Sequence, residues 1–192
     1  MHQDALMDPL DALEQSADLW SNALTLLPED LDAPSYLPQW SICDLVNHVA
    51  GGGVRYAMYL DGKTSQDAEP TRHADYCTPD AFADSQAALR ERLADRDRWT
   101  ETVVHPAGPL SVLDSLHRRC IELVVHSWDI AKSVDLTGVE VCPMPKELAT
   151  HLIGVYAATN AGLAGSSYFA SEPEGPAEDP RAELLRLSGR VA

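Results

Sequence analysis

The stretch CIELVVHSWDIA, residues 120–131, carries the side chains of this sequence best suited to chemistry. On a helix that turns about 100° per residue, His126 lies about 40° from Glu122 on one side, and Asp129 lies about 20° from it on the other. Nearly every other position around this helix is apolar, so these residues form one narrow polar stripe. A carboxylate and an imidazole four residues apart on one helix face can bind the same metal ion.

Two interpretations of this stripe remain open from the helix alone. The stripe is either the solvent-exposed face of an otherwise buried helix, or it faces the interior of a helical bundle and contributes to a metal site. A Glu-x3-His pair occurs often by chance. A third ligand from another segment is therefore needed before a metal site is favoured.

His48, in DLVNHVAGGG, is the best candidate for the third ligand. It lies at the edge of the apolar face of a preceding helix, and Gly52 follows one turn later on the same side. Three consecutive glycines in a helix cost roughly 1 kcal/mol each against alanine, so close helix packing or room for a ligand beside His48 must offset that cost. Packing is the simpler explanation for Gly51 and Gly53.

Two histidines and one glutamate would form an open metal site. Three protein ligands leave one coordination position for water or substrate, which is typical of catalytic rather than structural sites. Imidazole and carboxylate ligands suit zinc, nickel, cobalt or iron(II), and the softness of the ligands alone does not choose among these ions; zinc is the one that we expect first. Asp129 would orient a ligating imidazole or make a helix contact. Arg118, one turn before Glu122, would contact an anionic substrate or be an ordinary surface charge, and we favour the surface charge.

The remaining histidines are weaker candidates for ligands. His2, His73 and His105 lie in polar segments and are expected to be solvated. His117 points away from the stripe, and His151 lies near the start of a later helix.

Composition limits the class of protein. The chain has 192 residues, of which 45% are hydrophobic, and this predicts a single domain over residues 1–192. A formal net charge of −16 argues against nucleic acid or an anionic membrane as partner. We expect no signal peptide and no membrane helix, because the sequence has neither a basic start followed by an apolar run nor an apolar run of about 20 residues. The four cysteines form no CxxC motif, which favours reduced thiols and a cytoplasmic location.

Hydrophobic periodicity predicts an all-α bundle of four main helices with shorter additions. TETVVHPAGPL is predicted to be extended rather than part of a sheet, and DGKTSQDAEPTRHADYC is predicted to be a loop. Ser41 and Ser111 are predicted to cap the helices that follow them. The predicted helices cover about residues 4–27, 41–56, 79–97, 111–134, 146–163 and 181–187.

Three motifs carry a resemblance to a known family. WSICDLVNH, residues 40–48, resembles the W-x3-DL-x2-H motif of the DinB-like metalloprotein superfamily. ELVVHSWDIA, residues 122–131, resembles the E-x3-H-x-WD-x-A segment of its actinobacterial branch, which includes the N-terminal domain of mycothiol-dependent maleylpyruvate isomerase. ELLRLSGR, residues 183–190, is similar to the ending of single-domain members. The order and separation of these parts fit along nearly the whole chain.

The resemblance implies a DinB-like four-helix bundle in which His48, Glu122 and His126 hold a divalent metal. It also implies that a low-molecular-weight thiol such as mycothiol is a cosubstrate in some members, so a thiol transferase or isomerase acting on an electrophilic small molecule is expected. The extra C-terminal domain of the isomerase has no counterpart in these motifs, so its particular reaction does not carry over. A metal-dependent hydrolase and a non-catalytic metal- or ligand-binding bundle are the alternatives, and a homodimer is left open.

Overall fold

The computed structural model of this protein describes residues 7–78, 80–106, 108–134, 143–160 and 177–190. These residues are mostly helical, and the predicted all-α class is confirmed. The helices are α1 (Pro9–Leu24), α2 (Ile42–Leu60), α3 (Ser65–Ala68), α4 (Ala81–Leu93), α5 (Val112–Ser133), α6 (Lys146–Asn160) and α7 (Pro180–Leu187). Two 3-10 helices (Glu69–Arg72 and Arg96–Thr100) and two short strands, β1 (Thr102–His105) and β2 (Gly108–Ser111), complete the described elements.

Side-chain caps determine where the two site-bearing helices begin. The hydroxyl of Ser41 accepts a hydrogen bond from the backbone N–H of Asp44, whose carboxylate accepts one from the backbone N–H of Ser41. Ser111 accepts in the same way from the backbone N–H of Asp114. Each cap satisfies a first-turn donor that has no partner inside the helix. Both caps were predicted, and both are confirmed.

Helix α5 is the central element of the bundle. It packs against α1, α2 and α6, while α4 covers α2 and α7 covers α6. Leu116, Leu123 and Ile130 of α5 are fully buried in the core. Neighbours on three sides explain why most of this helix is buried, including polar residues such as Arg119 and Asp129.

The segment TETVVHPAGPL differs from the prediction, because it forms a two-stranded antiparallel sheet. Thr102 pairs with Ser111, and His105 pairs with Gly108. Gly108 has φ +112°, a conformation that glycine adopts without strain. The hairpin packs on α2 and α5, and this tertiary support stabilises strands that are too short to be evident from the sequence.

The predicted helix boundaries also shift at two places. The first helix begins at Pro9, where Asp8 accepts a hydrogen bond from the backbone N–H of Leu10, and residues 4–6 lie outside the described range. The helix predicted over residues 79–97 ends at Leu93 and is followed by a 3-10 helix.

The predicted loop over residues 61–77 contains α3 and a 3-10 helix, because Thr64 and Asp67 form a capping box that nucleates one helical turn. The predicted end of the fifth helix, at Leu163, lies outside the described residues. Within the described ranges, none of the helices combines the length and the apolar character needed to cross a membrane.

Candidate metal centre

Three potential ligands come together between α2 and α5. His48 of α2 and Glu122 and His126 of α5 each offer one ligand atom, and these atoms lie within 4.8 Å of one another. Nε2 of His48 is 3.2 Å from Oε1 of Glu122. Two ligand atoms on one tetrahedral zinc ion, with bonds of about 2.1 Å, lie about 3.4 Å apart. The arrangement of these three side chains therefore fits a metal ion.

The polar stripe of α5 is not a solvent-exposed face. The side chains of Glu122 and His126 are only 16% and 12% exposed, and that of Asp129 is 0% exposed. The rings of His48 and His126 meet nearly perpendicularly, with 5.1 Å between their centroids. The stripe thus faces α2, and the solvent-face interpretation is wrong.

Arg119, which the sequence analysis did not single out, holds Glu122 in place. Its Nη1 donates to Oε2 of Glu122 at 2.9 Å, and its Nη2 donates to the backbone carbonyl of Val49 at 2.9 Å. Although burial opposes ionisation, the charge of Arg119 and the hydrogen bond from His48 hold the pKa of Glu122 well below its usual range. Glu122 is therefore anionic, with one oxygen bonded to Arg119 and the other directed at His48.

Gly52 makes room for this ion pair. A Cβ at Gly52 would lie 2.9 Å from Nη1 of Arg119 and 3.2 Å from Oε1 of Glu122. A Cβ at Gly53 would lie 2.6 Å from Oγ of Ser85 on α4. Close approach of neighbouring side chains therefore accounts for both glycines, and the space next to Gly52 is filled by residues of α5.

Asp129 orients His126. Its Oδ2 lies 2.8 Å from Nδ1 of His126, and its two oxygens accept hydrogen bonds of 3.1 and 2.7 Å from Arg190. Although burial opposes ionisation, the hydrogen bonds from His126 and Arg190 lower the pKa of Asp129. An ionised carboxylate only accepts hydrogen bonds, so the proton of His126 is on Nδ1 and the lone pair of Nε2 is available to a metal. Carboxylates in this position typically fix ligating imidazoles.

His48 is oriented from the other side by an aromatic neighbour. The ring of Trp40, the first residue of the WSICDLVNH motif, lies 4.9 Å from the ring of His48 between centroids. Burial lowers the pKa of His48 and outweighs the opposing effect of Glu122. The neutral imidazole, which is the form that binds metals, is therefore favoured.

The adjacent Asn47 accepts a hydrogen bond of 2.7 Å from the backbone N–H of Tyr76 and so attaches the segment 73–78 to α2.

Arg118 lies near the three ligand residues but is not one of them. It is half-buried, and it donates a hydrogen bond of 3.4 Å to the backbone carbonyl of Thr159 on α6. Arg118 has no acidic partner in the described part of the chain, unlike most arginines of this protein. The expectation of an ordinary surface charge and the alternative of a substrate contact both stay predictions.

His105 was expected to be solvated, and this expectation is wrong. Its ring lies 5.5 Å from the rings of both Tyr56 and Tyr59, between centroids. Burial lowers the pKa of His105 to about 4. The hairpin that the sequence did not predict brings this residue onto α2.

His117 and His151, two of the weaker ligand candidates, form a pair of their own. Both are buried, and their rings meet edge to face between α5 and α6, with 5.2 Å between the centroids. They are not part of the three-residue cluster. His73 is 78% exposed, as expected.

Comparison with known proteins agrees with the motifs. The model of the mycothiol maleylpyruvate isomerase N-terminal domain family matches residues 11–131, which include all three potential ligands. Two uncharacterized proteins of Mycobacterium tuberculosis, from strains CDC 1551 / Oshkosh and ATCC 25618 / H37Rv, are each 26% identical to this chain over 181 residues, with 93% of this chain and 95% of each relative covered. No solved structure gives a significant match. The family match spans more than half of the chain, so the resemblance is confirmed and the protein belongs to the mycothiol maleylpyruvate isomerase N-terminal domain family.

Proposed function

We propose that this protein is a metal-dependent enzyme that binds one divalent ion through His48, Glu122 and His126 and uses a low-molecular-weight thiol of the mycothiol type in transfer or isomerisation chemistry. The observation that carries the proposal is the approach of three ligand atoms to within 4.8 Å of one another. Membership of a family named for a mycothiol-dependent isomerase supports the thiol. The cosubstrates would be a small-molecule thiol and an electrophile.

The donor set suits a catalytic ion. Two imidazoles and one carboxylate leave a coordination position open, and zinc is the first choice for this set. When bound, such an ion lowers the pKa of a thiol or water molecule at the open position. With a single carboxylate among three ligands, the loaded site would keep net positive charge and would favour an anionic nucleophile.

The residues around the ligands keep the site organised before any substrate binds. Arg119 fixes the rotamer of Glu122, and Asp129 fixes the tautomer and the ring orientation of His126. Groups held in this way need little reorganisation when charge develops during a reaction. A cytoplasmic location is part of this proposal, and it rests on the absence of a CxxC motif in the sequence.

Metal content tests the ligand set. Elemental analysis of the purified wild-type protein is expected to give about one equivalent of a divalent ion, and His48→Ala, Glu122→Gln and His126→Ala are each expected to lose it. His73→Ala is the matched control, because His73 lies on the surface far from any ligand in sequence. Wild-type metal content in His48→Ala would overturn the three-ligand site.

The thiol is tested separately in cobalt-substituted protein. Addition of mycothiol is expected to change the visible absorption of bound Co(II) and to raise the melting temperature, while S-methylated mycothiol, which has no ionisable thiol, is expected to do neither. If the visible absorption of bound Co(II) does not change when mycothiol is added, the proposed role of the thiol is wrong. The hydrolase and the non-catalytic metal-binding bundle would then be favoured.

A further inference from the structure

The arginines of this protein are paired with acidic residues almost without exception. The chain contains eleven arginines, all of them among the described residues, and nine form ion pairs with aspartate or glutamate. The two that form none in the described part of the chain are Arg55 and Arg118. They lie on α2 and α5, the two helices that carry the potential metal ligands. In a chain with 30 acidic residues, two guanidinium groups without an acidic partner in the described residues, both on the helices that carry the ligands, need an explanation.

Arg55 is the more buried of the two, with 7% of its surface exposed. Its one hydrogen bond within the described residues runs from Nη2 to the backbone carbonyl of His48, at 3.0 Å. That carbonyl lies inside α2, where the helix supplies its own donor. A guanidinium has five N–H donors, and one such bond does not repay the cost of removing its charge from water. A purely structural role therefore explains Arg55 poorly.

Tyr59, one turn further along α2, also lacks hydrogen-bond partners. It is 3% exposed, and its buried hydroxyl has no hydrogen-bond partner among the described residues. Buried polar atoms in folded proteins nearly always have a partner, so an unpartnered hydroxyl points to a missing one. Because Arg55 and Tyr59 are four residues apart, their side chains lie one above the other on the helix.

Both residues continue the face of α2 that carries the metal ligand. At about 100° per residue, His48, Gly52, Arg55 and Tyr59 fall within a stripe about 60° wide. The guanidinium of Arg55 runs back along the helix toward His48, since its Nη2 reaches the His48 carbonyl and its Nη1 would lie 2.9 Å from a Cβ built at Gly51. The unpaired cation is therefore close to the three-ligand cluster.

We propose that Arg55 and Tyr59 form a subsite for a carboxylate group of the substrate beside the metal position. A guanidinium donates two parallel hydrogen bonds to the two oxygens of a carboxylate, and a phenol adds a third donor. One cation and one neutral donor match a carboxylate monoanion better than a phosphate dianion. This inference rests on the proposed function in one respect. The part of the substrate that Arg55 and Tyr59 do not bind would contact the metal ion.

Succinate binding to the full-length protein tests the subsite, in both metal-free and metal-loaded preparations. Wild-type protein is expected to bind succinate and to gain melting temperature from it. Arg55→Met is expected to weaken succinate binding at least about tenfold, the effect of losing one charge-assisted hydrogen bond, and Tyr59→Phe is expected to weaken it less. Arg92→Met is the matched control, because Arg92 pairs with Asp61 at the surface.

The melting temperature without succinate separates a binding role from a structural one. Arg55→Met is expected to melt at or above the wild-type temperature, because it removes a buried unpaired charge, whereas a structural arginine would leave the variant less stable. If Arg55→Met fails to fold, Arg55→Lys is the second variant. It keeps the positive charge but cannot make bidentate hydrogen bonds, so its affinity for succinate is expected to be lower than that of the wild type without being lost. Succinate that binds neither form, or binds wild type and Arg55 variants equally, would overturn the subsite. Equal affinity for inorganic phosphate would overturn its assignment to carboxylates.

Metal content measured in the same preparations distinguishes a failure of the subsite proposal from a failure of the metal proposal. Succinate binding that depends on Arg55 in a protein without metal would support the subsite and contradict the metal proposal. A metal-loaded protein whose succinate binding is independent of Arg55 would support the metal proposal and contradict the subsite.

Discussion

Arg190 donates two hydrogen bonds to the buried carboxylate of Asp129, 61 residues earlier in the chain. Asp129 in turn fixes the ring of His126 through a contact of 2.8 Å. The segment after α7 is thereby connected to a potential metal ligand through one carboxylate. Stability and metal binding should consequently respond together to changes at this contact.

Removal of Arg190 is expected to be strongly destabilising. Arg190→Ala leaves the charge of Asp129 buried with only His126 as partner, and loss of one member of a buried ion pair typically costs about 3–5 kcal/mol. Chemical denaturation measures this change. Arg181→Ala, in the same part of the chain, removes a half-buried pair with Asp179, which keeps Lys146 as a partner, and is expected to change stability much less. Equal effects of the two substitutions would contradict the structural role of Arg190.

The carboxylate of Asp129 is expected to control metal affinity. Asp129→Asn removes the charge that holds the proton of His126 on Nδ1, and loss of such a partner typically lowers metal affinity about 10–100-fold. Competition with a chromogenic chelator measures the dissociation constant. Asp114→Asn, in the first turn of the same helix, is the control and is expected to keep wild-type affinity. An unchanged dissociation constant in Asp129→Asn would show that His126 needs no such support.

A methyl group at Gly52 is expected to disturb the site. The Cβ of Gly52→Ala would lie 2.9 Å from the fully buried Arg119 and would displace its pair with Glu122, so metal affinity should fall at least about tenfold. Alanine also gains roughly 1 kcal/mol of helix propensity over glycine, so metal affinity is a clearer measure than stability.

Gly53→Ala is the matched control for this substitution. Its Cβ meets Ser85 of α4 first, at 2.6 Å, and lies 3.2 Å from Nη2 of Arg119, the nitrogen that donates to Val49 rather than to Glu122. It is therefore expected to disturb the packing of α2 on α4 more than metal binding. Similar losses of affinity in Gly52→Ala and Gly53→Ala would indicate that crowding around Arg119 in general, rather than the Arg119–Glu122 contact, is responsible.

The buried pair of His117 and His151 is expected to make the protein acid-sensitive. Burial, and then the neighbouring His151, lowers the pKa of His117 to about 4, and burial lowers the pKa of His151. The unfolded chain takes up protons near pH 6.5, whereas the folded chain resists them, so stability is full above that pH and falls between about pH 6.5 and 4. Each proton contributes a slope of at most about 1.4 kcal/mol per pH unit.

The double substitution His117→Phe with His151→Phe tests this acid sensitivity through denaturation curves at a series of pH values. It is expected to flatten the loss of stability between pH 6.5 and 4. His73→Phe, at an exposed position, should leave the profile as it is in the wild type. A double variant with the wild-type slope would assign the acid sensitivity to other groups, such as His48 or His105.

Local interactions made part of this protein predictable from its sequence. The starts of α2 and α5 follow from Ser41 and Ser111, because a cap depends only on residues within three positions. The common face of Glu122, His126 and Asp129 follows from helical periodicity. Motifs of the same local kind were sufficient to identify the family.

Only the tertiary structure decided what that common face meets. The stripe of α5 faces α2 rather than solvent, Gly52 accommodates Arg119, and Arg190 reaches Asp129 across 61 residues. The hairpin that carries His105 is likewise stabilised by its contacts with α2 and α5. Each of these relationships depends on which surfaces are buried together. Helical periodicity places side chains on a face, but the free energy of packing the whole bundle determines which other face it contacts.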